Sequence, residues 1–532
     1  MGADGSTGDT TTGVEPTTSG PGETDPSTGS STGSDTTGPI DCDVGSDTPD
    51  INGLDEDGDG IDGVACAAVF VSAIAGSDLN EGLEQNDPVL SISRGIEIAE
   101  SFSPPRMVLV STGNYSETVN LVSGVSIYGG YDPLTWERSI EDNRASIVGT
   151  EDRTVIAENL EAAVTMQGFT VEGASFQFDS ASTYGIWVRD TPDGLLSIDA
   201  CEVRAGDAGE GTAGDAGEEG DPGGNGMPGG LGAGGAGGTS SCGANGGNGG
   251  TAASNCTYTA SQPGQNGGDG TQVGSAGTPG PDECSNDGCN DEGENAGDGG
   301  DGNAGLDGEG ATASPSGLGA FNGAGLWGQT GGTPATDGLN GGGGGGGGHG
   351  GSDDDTDSIL GVDLCGGEID VGGGGGGAGA GGCGGNGGQS GLPGGGSFGI
   401  VVIASSISIT NTDVFMGSGG NGGDGGAGGN AGTRGTGSGG GSGDEEAGDG
   451  GDGGVGGFGG AGGGGAGGCG GPAIGIANVS GSALNVSNVS FQDGAAGIPG
   501  DPGTGGVHAD NTQEAPAGEP GCVGVFTDQQ EF

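Results

Sequence analysis

Three aspartates at alternate positions, Asp55, Asp57 and Asp59, followed by Gly60, match the first half of a looped calcium site. In such a loop, carboxylates two residues apart turn toward one centre, a glycine permits the sharp bend and a backbone carbonyl adds an oxygen. Here the carbonyl is that of Ile61 and Asp62 supplies a further donor, while Cys42 and Cys66 are candidates to join in a disulfide across the base of the loop. The closing bidentate glutamate is missing, so Ca2+ on Asp55, Asp57, Asp59, Ile61 and Asp62 is weighed against a solvated acidic linker.

Other chemistry is sparse. The two histidines, His349 and His508, both sit in irregular sequence, which leaves neither a histidine zinc site nor a Ser-His-Asp set on rigid elements. The eleven cysteines are scattered through polar, glycine-rich sequence. That pattern fits disulfides in an oxidising space and therefore an exported protein. Cys201 differs, because it occupies an inward position equivalent to Phe169 and is expected to be a buried free thiol. The remaining ten can form five disulfides of undetermined connectivity, with Cys284 and Cys289 a second local candidate pair.

Composition limits the scaffold. Only 29% of the 532 residues are hydrophobic and 146 are glycine, too little apolar matter for a large conventional core. The net charge of −67 excludes nucleic acid as a partner and favours bound cations. No apolar run long enough to span a membrane occurs, and Met1 is followed directly by GADGSTGDTTTG, so attachment to an outer membrane would have to run through a removed N-terminal leader.

Residues 1–41 read as a disordered Gly/Ser/Thr/Asp tether and 42–68 as the acidic, calcium-binding segment. From Val69 short β-branched runs alternate with turn residues, and the IEIAE stretch suggests a short capping helix. The residues Phe70, Val71, Gly76, Ser77, Asp78, Asn80, Gly82, Pro88, Ser91, Ile92, Ala99, Gly113, Tyr115, Glu117, Gly124, Val125 and Gly129 resemble the N-terminal portion of secreted right-handed parallel β-helix proteins of the pectin-lyase-like superfamily. The resemblance covers about a third of the chain and speaks for architecture more than activity.

It also implies where catalysis would lie. Pectin-cleaving members use a calcium-assisted base or a carboxylate set similar to NTD, DD, GHG and RIK in that order. This chain has Asn411-Thr412-Asp413, Asp353-Asp354-Asp355 and Gly348-His349-Gly350 in the wrong order and lacks RIK. Arg189 and Arg204 are the only bases within the repeats. A non-catalytic protein is the better reading. Shallow faces of this fold commonly bind extended glycans, and Tyr184, Trp187, Trp327 and Phe398 are candidates to stack on sugars.

Four segments share alternating apolar residues around a two-residue corner, starting at Val164, Leu196, Ile407 and Leu484. Three have a further strand ahead of them, at Gly185–Val188, Gly399–Val402 and Gly475–Ala477. After Val203, Val414 and Phe491 the chain enters glycine-rich sequence, so the insertions should leave from one corner of stacked coils. Within them glycine recurs every third residue, from Gly214 to Gly238, Gly417 to Gly435 and Gly494 to Gly506.

That period suits polyproline II segments, either as collagen, disfavoured by short and proline-poor runs, or as an intramolecular antiparallel bundle. The second resembles glycine-rich antifreeze proteins and the tips of some phage tail adhesins. The Gly341–Gly348 tract, with no side chains to fix a register, is expected to be disordered. The expected fold is thus all-β, a right-handed parallel β-helix with coils at 69–204, 398–415 and 473–492 and glycine-rich insertions at 205–397, 416–472 and 493–532. The expected function is a non-catalytic surface protein, an adhesin or structural module meeting a cell-surface glycan or receptor. The alternative is a polysaccharide-binding or pectate-lyase-like polysaccharide-cleaving protein.

Overall fold

The computed structural model describes residues 47–532 apart from Asp193, 253–261, 282–292, 360–361 and 511–512. The β-branched runs become strands because every second side chain can enter a shared interior. In chain order they are β1 (Ala68–Val71), helix α1 (Ile92–Glu100), β2 (Met107–Ser111), β3 (Gly113–Ser116), β4 (Val119–Leu121), β5 (Ile127–Tyr131), β6 (Ala145–Val148), β7 (Arg153–Glu158), β8 (Val164–Gln167), β9 (Phe169–Glu172), β10 (Thr183–Arg189), β11 (Leu196–Asp199) and β12 (Glu202–Arg204). Two antiparallel hairpins follow, β13 (Ala320–Phe321) with β14 (Trp327–Gly328) and β15 (Asp353–Ile359) with β16 (Val362–Asp370). The last strands are β17 (Ser397–Ile403), β18 (Ser406–Phe415), β19 (Ala473–Val479), β20 (Ala483–Gln492) and β21 (Phe526–Glu531).

Apart from the hairpins, the named strands pair in parallel. One ladder runs β1-β2-β5-β8-β11-β18, a second β3-β6-β9-β12-β18, and a separate sheet runs β4-β7-β10-β17-β19-β21. The long β18 joins the first two, pairing with β11 through its first half and with β12 through its second, and β20 continues it. The four corner segments seen in the sequence lie in register, with Val164, Leu196, Ile407 and Leu484 side by side. This mostly parallel β arrangement is compatible with a solenoid.

The interior is a continuous column of aliphatic side chains, including Val164, Met166, Leu196, Ile198, Ile400, Val402, Ile407 and Ile409. Each such side chain contributes roughly 1.5–3 kcal/mol when fully buried. Cys201 lies in this column as a buried free thiol, as expected. The end near β1 is covered by α1, whose Ile92, Ile96 and Ala99 are buried. Ser91 caps the helix by accepting the Arg94 N–H at 3.3 Å.

The glycine-rich insertions form a second ordered layer, held by backbone hydrogen bonds every third residue. Gly211, Gly214, Gly217, Gly220, Gly223 and Gly226 donate in turn to Asn421, Asp424, Ala427, Asn430, Thr433 and Thr436, a parallel pairing. Gly423, Gly426, Gly429, Gly432 and Gly435 donate to Leu392, Gln389, Asn386, Cys383 and Ala380, an antiparallel one. The all-antiparallel bundle expected from sequence is therefore corrected to a mixed one. The cause lies in the column. Arg204, Phe415 and Gln492 are neighbours in one ladder and Ser397, Ala473 and Phe526 in the other, so outgoing legs run side by side in parallel and returning legs oppose them.

The expectation for Gly341–Gly348 is also overturned: this tract is buried at the centre of the layer. Segment 338–351 exchanges hydrogen bonds with 243–251, 262–270, 271–280, 293–311, 372–396 and 448–471. A Cβ on Gly344, Gly345 or Gly346 would lie 2.4, 1.9 or 2.0 Å from the carbonyl oxygens of Gly454, Ser275 and Asn248, each on a different neighbour. A three-residue turn presents three edges. In 341–348, where all three are covered, every residue is glycine, and elsewhere in the buried layer nothing larger than alanine is common, as at Ala378 and Ala461. Segment 211–229 lies against 372–396 and 421–439, turns its every-third-residue glycines toward both, and keeps exposed residues such as Thr212, Asp215 and Glu218 between them.

At the rim, polar side chains take up N–H groups that lack a neighbouring segment. Asp298, Asp301 and Asp307 accept from the backbone of Asp452, Val455 and Ala461 at 2.9, 3.0 and 2.8 Å. Disulfides Cys242–Cys383 and Cys469–Cys522 cross-link the layer and fit an oxidising environment.

Candidate functional site

The acidic loop precedes β1 and folds mainly around its own backbone. Asp55 Oδ1 accepts from Gly58 N at 2.6 Å and Asp59 N at 3.1 Å, and its Oδ2 from Gly60 N at 3.0 Å. Asp57 Oδ1 accepts from Asp59 N at 3.0 Å. Gly58 and Gly60 have φ of +76° and +102°, a left-handed backbone that favours glycine. Asp59 turns away to the backbone N–H groups of Ile61 and Ala65, at 3.2 and 2.7 Å.

The next two residues anchor the loop to the strands. Ile61 is buried with Phe70, Leu109, Tyr131 and Trp136. Asp62 forms a fully buried ion pair with Arg138 at 2.9 Å, and the Tyr131 hydroxyl donates to its carbonyl at 2.5 Å. Arg138 also donates to Gly129 O at 2.8 Å, Asp50 O at 2.6 Å and Gln167 Oε1 at 2.7 Å, so its charge is well compensated. Burial raises the Asp62 carboxyl above its ordinary range, and Arg138 opposes that rise.

The carboxylates that converge are Asp47, Asp55 and Asp57, each with an oxygen within 4.8 Å of the others. Of the residues singled out in the sequence, Asp55 and Asp57 are brought together, while Asp59, Ile61 and Asp62 are engaged elsewhere. Asp47 was missed. It stands eight residues ahead of Asp55, outside the alternating pattern, and only the path of the folded chain reveals it. Its Oδ2 accepts from Gly63 N at 3.0 Å, while its Oδ1 and Asp57 Oδ2 are buried without a hydrogen-bond partner. The Glu56 carboxyl is pushed up, first by its proximity to Asp47 and then by repulsion from Asp50 and Asp62.

The aromatic residues proposed to stack on sugars pack on each other instead. Tyr184, Trp187, Trp327 and Phe398 are 2%, 1%, 9% and 0% exposed, which leaves no ring face for a ligand. Tyr184 and Phe398 stack at 5.4 Å, and the Tyr184 hydroxyl accepts from Trp327 N at 3.0 Å. The turn between β13 and β14 covers them, with Gly325 O accepting from Trp187 Nε1 at 3.3 Å.

The motif fragments lie on separate elements. His349 is buried in the central glycine segment, Asn411 lies on β18, and Asp353 begins β15. A cleft of about 380 Å³ in the glycine layer is lined by Thr312, Gln329, Thr330, Gln389, Leu392 and Cys469 among small residues. Its lining holds no acid, base or histidine, and Cys469 is disulfide-bonded. Cys66 is disulfide-bonded as well, whereas Cys42, Cys284 and Cys289 lie outside the described residues. No protein-family model matches the chain, and neither a curated protein nor a solved structure matches it.

Proposed function

We propose that this is a non-catalytic extracellular protein, an adhesin or structural module, built as a right-handed parallel β-helix rod that carries a glycine-rich slab. The supporting observation is the slab's own order. Segments such as 338–351 are hydrogen-bonded on all sides, so the outward positions of the rim segments are held in rows at fixed three-residue spacing. Asn421 bridges Glu210 Oε1 at 3.1 Å and Ile498 N at 3.1 Å, and Asn430 does the same for Glu219 and Val507 at 3.0 and 2.8 Å. A rigid, regular polar face suits repeated contacts with an extended surface partner, a glycan or a receptor. The disulfides support display outside the cell, with residues 1–41 serving as tether to an outer membrane.

The test separates binding from turnover. Incubation with polygalacturonate and other acidic glycans, with and without calcium, is expected to yield neither unsaturated products nor new reducing ends. Whole-cell or glycan-array binding is expected without turnover. Either product would defeat the non-catalytic reading.

A further inference from the structure

We infer that Asp47, Asp55 and Asp57 form a binding site for one divalent cation of the calcium class, which pins the acidic segment to the first turns of the column. The argument begins with burial. Asp47 is 2% exposed, yet one of its carboxylate oxygens has no hydrogen-bond partner. A buried carboxylate oxygen without a donor leaves its desolvation uncompensated. Asp57 adds a second buried, unpartnered oxygen, and Asp55 completes a set of three within 4.8 Å. Among the described residues no ion pair reaches them, and Arg138 is bound to Asp62.

Three crowded carboxylates, two of them with an unpartnered oxygen, are what a hard cation neutralises. Oxygen-only donors on a glycine-bearing loop suit Ca2+, which tolerates irregular coordination, better than Mg2+, which requires near-octahedral geometry. The location sets the consequence. Asp47 is tied to Gly63, and the adjoining Ile61 and Asp62 are embedded among Phe70, Tyr131 and Arg138. A cation on Asp47, Asp55 and Asp57 therefore closes the loop upon its own anchor.

Calorimetric titration of the full-length protein with CaCl2 at physiological salt, in parallel with MgCl2, tests this. One saturable calcium site is expected, tighter than any magnesium site, together with slower proteolytic cleavage within residues 47–66. Asp57→Asn, on a partly exposed side chain, should weaken calcium binding tenfold or more without changing the metal-free melting temperature. Asp47→Asn should do the same, and if it fails to fold Asp57→Asn still decides. Asp449→Asn, in the glycine layer, should leave the titration unchanged. Equal calcium binding by the protein and Asp57→Asn, loss in Asp449→Asn, or no saturable heat would overturn the site.

Discussion

The column and the glycine layer solve the same problem by opposite means. In the column, side chains such as Ile198 and Ile409 fill the interior, and stability follows apolar area removed from water. In the layer, the interior has almost no side chains. Segments approach so closely that an added Cβ would collide with a neighbour's carbonyl oxygen, and stability follows hydrogen bonds worth about 0.5–1.5 kcal/mol net each. Glycine's large entropy loss makes that layer costly to order, so it is attached at both ends to a column that aligns its legs. One region defines register by what it contains, the other by what it omits.

If the layer leans on cross-links, reduction should separate the two regions. The disulfides span 53 and 141 residues, and in the chain-entropy picture each contributes about 4–5 kcal/mol. Hydrogen exchange after reduction should rise in 338–351 and 448–471 but stay slow in β8 and β11. Uniform acceleration would show that the regions unfold together. The converse cut is Ile198→Ala, expected to cost about 2–5 kcal/mol through the cavity left in the column, with loss of protection spreading into the layer that depends on it.

A smaller effect should follow from side chains placed where none fit. Gly345→Ala is expected to destabilise the layer by about 1–3 kcal/mol, since its Cβ would meet the Ser275 carbonyl oxygen at 1.9 Å. Gly331→Ala, which meets nothing within 4 Å, should be close to neutral in the same thermal melt.

Alkali probes the strands, inside the column and on its outer faces. Burial pushes the Tyr115 hydroxyl up to about 12 and also raises Tyr131 and Tyr184. Since the folded values exceed the unfolded one of about 10, their contribution is intact below about pH 10 and is lost as pH rises toward the folded values. Ultraviolet titration should show these tyrosines ionising late, together with unfolding. The smallest expected change concerns Cys201, whose thiol burial pushes up to about 11. It should resist alkylation near about pH 8 until the column is denatured, because the thiolate is the nucleophile; mass spectrometry of labelled peptides reads this directly.

Much of the column was legible because alternation is local. Val164–Val171 and Leu196–Val203 reveal their inward faces without reference to anything distant, and the IEIAE helix lies within α1. The three-residue glycine period was equally visible, but its assembly was not. The order of Gly341–Gly348 depends on six segments from elsewhere in the chain, and a run with no side chains carries no trace of them. The aromatic residues misled for a related reason. Ile186 and Val188 face the column while Trp187 faces away, so it looked available until the β13–β14 turn, which has no periodic signature, was seen to cover it. At the acidic loop, alternation identified Asp55 and Asp57, whereas Asp47 and the Asp62–Arg138 pair depend on tertiary placement.

The count of glycines per triplet has a bearing on how such a chain can change over evolutionary time. Adding one residue to a segment rotates everything beyond it by a third of a turn, swinging bare edges outward and bulky ones into a neighbour's backbone. Adding three restores the phase. Insertions and deletions tolerated within 211–229 or 448–471 should therefore come in multiples of three, matched between an outgoing leg and the leg that returns beside it, much as a coding sequence must preserve its frame.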